Sequence, residues 1–232
     1  MSSTKTWVIP FDYNRLTPQT LNYLNQQEQK KADSFFHPKD KKNYQLSHIY
    51  LRELLTKNYP TITPKEWQFE YNDYGKPKIS TTIEFLQNWE TTALASSYSG
   101  LKPPIPRCLI NKELHFNISH TDSYFAMIIS DKECGIDIEE SGKIEITKEI
   151  LDLVLTPKEQ TLIKRENISF YTLWTLKEAH LKAIGRGLSI SLHEIEFLKI
   201  KKNAIFKKGK LNYKTEEIKS NLYLSSSVFE KI

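Results

Sequence analysis

The sequence predicts an α+β protein, on three observations. Segments with alternating apolar residues follow one another across tight turns, as in an antiparallel meander. Segments with apolar residues at helical spacing stand beside them, opened by Thr-Pro caps or closed by glycine. Both kinds occur in each half of the 232-residue chain, so each half combines helices with an antiparallel sheet.

In chain order, a strand is expected over 7–11 and a helix opening at Thr17-Pro18, with Thr as cap and Pro in the first turn. A second helix is expected over 39–57, where Leu46, Ile49, Tyr50 and Leu54 recur on one face. Trp67, Phe69 and Tyr71 alternate into a strand that ends at the turn Asn72-Asp73-Tyr74-Gly75. The stretch of about 80–112 reads as an insertion, with a short helix at 83–94 and an extended, proline-bound run at 100–106. Leu114, Phe116 and Ile118, then 124–129, then 134–140 form three strands joined by turns. Further on come a helix from Thr156, a long helix over 170–184 ended by Gly185, and strands near 195–200, 204–206 and 222–228.

Composition narrows the class. At 39% apolar and 26% charged the chain is an ordinary globular sequence. Cys108 and Cys134 have neither metal-site nor disulfide spacing, which fits a reduced, cytoplasmic compartment. No segment has the apolar length of a signal peptide or a membrane span, so neither export nor insertion is expected. The net charge of +5 points to an acidic partner. Much of the excess lies in residues 199–214, read as a lysine-edged hairpin around a Lys-Gly-Lys turn that either protects a sheet edge or docks an acidic protein. No nucleic-acid-binding pattern accompanies the charge.

The chemistry is concentrated between Cys134 and Lys182. In CGIDIEE, Cys134, Ile136 and Ile138 alternate into a core, which leaves Gly135, Asp137 and Glu139 on the opposite face, with open space expected beside Gly135. In FYTLWTLKEAHLKAIGRGL, Glu178 and Lys182 stand one turn apart on one helix face. Alone, an Asp-x-Glu on a strand is a solvated face and a Glu–Lys pair a surface ion pair. Together, two strand carboxylates, a helical glutamate and a lysine make a site for a hard metal ion holding a phosphate.

Both segments resemble the 4′-phosphopantetheinyl transferases of the large, surfactin-synthetase-activating type. That family carries G-(I/V)-D-(I/V)-E followed by W-(S/T)-x-K-E-(A/S)-x-x-K-x-x-G-x-G-L, which stand here at 135–139 and 174–188. The resemblance extends through NDYGKPKI around Lys76, HFNISH ending at His120, and KKADSFFHPKD near the N-terminus. It implies two similar α+β subdomains, 1–131 and 132–232, related by a pseudo-twofold axis with coenzyme A between them, in a monomer. It also implies Mg²⁺-dependent transfer of the phosphopantetheine arm of coenzyme A to a serine of an acyl or peptidyl carrier protein, releasing adenosine 3′,5′-bisphosphate. The rival readings are an Mg²⁺-dependent phosphohydrolase and a non-catalytic binder of coenzyme A or carrier protein.

Carried over residue by residue, Asp137, Glu139 and Glu178 are the expected metal ligands, and Asp137 and Lys182 lie at the coenzyme's diphosphate. Gly75, Lys76 and Pro77 match the adenine end, Ser119 and His120 the 3′-phosphate, and Lys31 a phosphate-contacting lysine. Glu28 replaces a usual lysine and Tyr44 a threonine; Lys30, Lys39, Lys41 and Lys42 are possible substitutes. Glu159, Glu178 and Lys182 are the expected catalytic groups. Glu159 is also the third residue of a Thr156-Pro157-Lys158-Glu159 capping box, so its role as base competes with a local one. Glu178 or a metal-bound water is the alternative base.

Overall fold

The structure, a computed structural model, describes residues 4–80 and 114–230. The helix expected at 83–94, the run at 100–106 and Cys108 lie outside the described residues. Contacts group these residues into two units, one of 4–9, 72–76 and 115–230, the other of 10–71, 77–80 and 114.

In the second unit Thr17 caps α1 (Pro18–Leu21), accepting from the Thr20 amide as its sequence predicts. Asn25 and Glu28 form a capping box at the start of α2 (Gln26–Asp33). α3 (Pro38–Asn58) buries Leu46, Ile49, Tyr50 and Leu54. β2 (Phe69–Tyr71) pairs antiparallel with β3 (Pro77–Ile79). Trp67 is fully buried but lies outside the strand expected to contain it.

The first unit holds two sheets. β1 (Lys5–Pro10), β5 (Tyr124–Ser130) and β4 (His115–His120) form one, in the order β1-β5-β4. The other has the order β6-β9-β8-β7, from β6 (Cys134–Glu140), β7 (Ile205–Lys208), β8 (Leu211–Lys219) and β9 (Leu222–Phe229). The expected three-strand meander is therefore corrected: β4 and β5 make a hairpin, and β6 leaves it to pair with β9. Both faces of β6 are needed for packing. Cys134, Ile136 and Ile138 cluster with Ala126 and Ile128 of β5 and Leu222 and Leu224 of β9, so β5 meets β6 through side chains.

Three helices complete this unit: α4 (Lys148–Val154), α5 (Pro157–Arg165) and α6 (Phe170–Ile184). The strand expected near 195–200 is absent. Ile195, Phe197 and Ile200 are buried in the core, but the Phe197 amide bonds to the Glu159 carboxylate instead of a ladder. Alternate burial there mimics a strand. The hairpin of β7 and β8 turns at Gly209, whose φ of +61° suits glycine, as the Lys-Gly-Lys sequence indicates. Among the described residues no helix is long and apolar enough to cross a membrane.

Candidate functional site

Gly135 decides how the site is built. A Cβ there would run into the Ala179 carbonyl and the Ala183 amide and come within 3.0 Å of the Lys182 carbonyl carbon. The open space expected beside Gly135 is thus filled by the backbone of α6. Only a glycine admits so close an approach of helix to strand. Small residues continue the surface: Ser227 and Ser225 stand opposite Gly135 and Asp137 on β9. Ser227 Oγ donates to the Ala179 carbonyl at 2.8 Å, and the Thr175 and Ser225 hydroxyls are 2.7 Å apart.

This contact brings Lys182 to Asp137. Its ammonium lies 2.6 Å from Asp137 Oδ1 and 2.9 Å from Ser119 Oγ, and Ser119 donates to the same carboxylate oxygen at 2.9 Å. Asp137 is only 4% exposed, and its Oδ2 is buried without a hydrogen-bond partner. Glu139 Oε1 accepts a bond of 3.3 Å from the Trp174 indole. Burial pushes the Glu139 carboxyl up to about 7, with the Asp137 charge adding to the rise. Burial likewise raises Glu178, again reinforced by Asp137 and opposed by Lys182.

Among the described residues no group of three His, Cys, Asp or Glu side chains is placed to hold a metal ion. The Lys182 ammonium is set on Asp137. The donor set still suits a hard cation. It offers an unpartnered buried oxygen at Asp137 and two carboxyls, Glu139 and Glu178, whose ionisation is disfavoured by burial and like charge.

At the other end of α6, the turn after β2 satisfies the helix's last carbonyls. Asn72 Nδ2 donates to the Gly185 carbonyl at 2.8 Å, and Lys76 Nζ donates to the Ala183 carbonyl at 3.0 Å and to Glu133 at 2.6 Å. Gly75 takes the left-handed conformation of that turn, φ +81°. A cleft of about 470 Å³ beside it is lined by Asn72, Lys76, Glu133, Gly185, Arg186 and Phe229, among others. His120 is exposed at the end of β4, while Ser119 is buried with Asp137.

Glu159 is fully buried, and both its oxygens are occupied. Oε2 accepts from the Thr156 amide at 2.9 Å and Lys177 Nζ at 2.6 Å, and Oε1 from the Phe197 amide at 2.9 Å. Lys177, itself fully buried, also donates to the carbonyls of Val154 and Leu192. None of these partners belongs to the Asp137 cluster. A carboxylate so enclosed offers no oxygen to an incoming hydroxyl, so its geometry supports the capping reading over that of a base.

Sequence comparison fits this site. The profile of the 4′-phosphopantetheinyl transferase superfamily matches residues 133–227, which hold Asp137, Glu139, Glu178 and Lys182. This segment is similar to that superfamily. Over a longer span the chain is similar to the Sfp-like transferases. It is 26% identical over 180 residues to the 4′-phosphopantetheinyl transferase Sfp of Bacillus subtilis, covering 74% of this chain and 65% of the relative. To the 4′-phosphopantetheinyl transferase HetI of Nostoc it is 25% identical over 197 residues, 82% of this chain and 71% of the relative. A shorter match, to the 4′-phosphopantetheinyl transferase gsp of Aneurinibacillus migulanus, is 37% identical over 89 residues, 36% of this chain and 37% of the relative. The chain thus spans just under two thirds of the length of the Bacillus subtilis relatives it matches.

Two further expected site residues lie before the superfamily segment, in the second unit. Lys31 is exposed on α2 with its ammonium 5.4 Å from the centre of the Phe35 ring, and Pro77 begins β3. The departures from the Sfp-like pattern have structural roles. Glu28 is buried and accepts from Arg52 at 2.6 Å and the Asn25 amide at 2.7 Å, with His48 Nδ1 2.8 Å away. Tyr44 packs on the His48 ring at 4.3 Å between centroids. Sequence reasoning missed His48 and Arg52, although their spacing of four on a helix with Glu28 at a cap was a usable signal.

Part of the basic hairpin is paired within the superfamily segment and just beyond it. Lys202 pairs with Glu217 at 2.5 Å and Lys207 with Glu230 at 2.8 Å. Lys208 donates to the Glu196 carbonyl and lies over the Phe197 ring.

Proposed function

We propose that this chain is a 4′-phosphopantetheinyl transferase. It moves the phosphopantetheine arm of coenzyme A to a serine hydroxyl of an apo carrier protein and releases adenosine 3′,5′-bisphosphate. The observation that carries this reading is the Asp137–Lys182 pair, with its unpartnered Asp137 oxygen, inside the segment that matches the superfamily and hydrogen-bonded to Ser119 just before that segment.

The serine oxygen forms a bond to the β-phosphorus of the diphosphate, and the bond from that phosphorus to the bridging oxygen breaks. Lys182, held beside Asp137 and Ser119, binds the diphosphate and offsets its charge. Asp137, Glu139 and Glu178 would hold Mg²⁺, which when bound supplies neutralisation of charge building on the leaving phosphate. Glu178, whose proton affinity burial raises, accepts the serine proton. Gly75, Lys76 and Pro77 serve the adenine end, and Ser119, His120 and Lys31 the 3′-phosphate. The halves 1–131 and 132–232 are related by a pseudo-twofold axis, a reading supported by the helices and antiparallel strands in each. The enzyme acts as a cytoplasmic monomer on an acidic carrier, whose charge complements the net charge of +5.

The deciding experiment incubates the full chain with coenzyme A, Mg²⁺ and an apo carrier domain and weighs the carrier. A mass gain of one phosphopantetheine is expected. Hydrolysis of coenzyme A with an unmodified carrier would assign a phosphohydrolase, and binding without chemistry a non-catalytic binder.

A further inference from the structure

Among the described residues β6 has β9 along one edge only, and its other edge is not laddered to β4 or β5. There the Ile136 N–H, which no strand partner takes, donates to Asn117 Oδ1 of β4 at 2.9 Å. Asn117 is 4% exposed and sits two residues before Ser119, so both side chains leave the same face of β4. One holds the main chain of β6; the next holds the carboxylate of the following residue, Asp137. β4 thus grips β6 with two side chains where a sheet would use a ladder.

We propose that Asn117 is a positioning residue, which sets the Asp137 carboxylate between Ser119 and Lys182 by fixing the backbone of β6 at Ile136. The catalytic meaning of this position rests on the transferase reading above. Without the amide oxygen the Ile136 N–H is left buried and unpaired, and the strand must shift to satisfy it. Asp137 shifts with it, because its own contacts to Ser119 and Lys182 act on the side chain and not on the strand.

The test compares Asn117→Leu, which keeps the bulk and removes the acceptor, with Asn117→Asp, which keeps an acceptor in the same place. Two readouts are taken on the protein alone: hydrogen exchange of the Ile136 amide and the carbon resonance of the Asp137 carboxyl. In Asn117→Leu the exchange should quicken at least about tenfold and the Asp137 resonance should move. Asn117→Asp should retain wild-type exchange. A folded Asn117→Leu protein with an unmoved Asp137 resonance would overturn the proposal, as would Asn117→Asp exchanging as fast as Asn117→Leu. Should Asn117→Leu not fold, Asn117→Ser takes its place, with the same two outcomes. Neither readout needs coenzyme A or a carrier, so a failure of the transfer assay leaves this test standing.

Discussion

Lys182 and Asp137 form an ion pair of 2.6 Å that occupies one carboxylate oxygen and leaves the other buried and unpartnered. A buried oxygen in that condition costs free energy, and its place is one that a water or an ion can complete. The pair therefore concentrates the chemistry of the candidate site at Asp137.

Asp137→Ala and Glu178→Ala should each lower carrier modification by roughly two orders of magnitude or more, the scale of losing preorganised charge stabilisation. The far-ultraviolet circular dichroism of both variants should match wild type. Near-normal turnover of either variant at ordinary Mg²⁺ would remove these residues from the reaction.

Gly135→Ala should be among the most damaging single-methyl changes in the first unit. The added Cβ meets helix backbone rather than a flexible side chain, so α6 must move away from β6. Overpacking of this kind costs about 1–3 kcal/mol. Urea unfolding measures that loss, and the transfer rate should fall with it because Lys182 leaves Asp137. A variant as stable and active as wild type would mean that the helix can retreat freely.

Glu159→Gln should destabilise the fold by about 3–5 kcal/mol, since it leaves the buried Lys177 ammonium without its counter-charge. Adding Lys177→Met should recover part of that loss. Chemical denaturation of both single variants and the double variant gives the coupling directly. If Glu159→Gln instead slowed transfer with an unchanged unfolding midpoint, the base role would return to Glu159.

Stability should fall in acid through Glu133. Its hydrogen bond with His115, and then its contact with Lys76, hold the carboxyl down to about 2 from an ordinary 4.5. The unfolded chain therefore takes up this proton first as pH drops. The contribution is complete above 4.5 and is lost as pH falls through that value toward 2. Glu133→Gln should lie below wild type near neutrality and converge with it at the acid end of a urea-midpoint series; parallel curves would contradict the assignment.

Replacing Lys202, Lys207 and Lys208 by Gln should change the KM for carrier by less than about threefold, since these charges are already paired or capped locally. A large, salt-sensitive rise in KM would restore the docking role of the hairpin.

How much was legible in the sequence depended on range. The strand over 134–140 and the helix over 170–184 declare themselves by period and by a glycine stop, which are local properties. The choice of β9 over β5 as partner of β6 is not local, and alternation reads the same for either. Gly135 was read as making room when the room is taken by a helix from 35 residues and more further along the chain. At Ile195, Phe197 and Ile200 the alternation was real and the strand was not, because burial can alternate wherever a loop crosses a core. Glu159 showed its capping box plainly but hid Lys177, whose contact arises only through tertiary packing.

The pairing of β6 with β9 also governs when the site can exist. Ser119, Asp137 and the whole of α6 precede β9 in the chain, yet among the described residues β6 has no laddered edge until β9 arrives. During synthesis, then, every proposed reacting group leaves the ribosome before the strand that aligns them. Contacts of such long sequence separation form late and slowly. A nascent chain stopped before residue 222 would carry every side chain of the proposed site without the strand that ladders to β6.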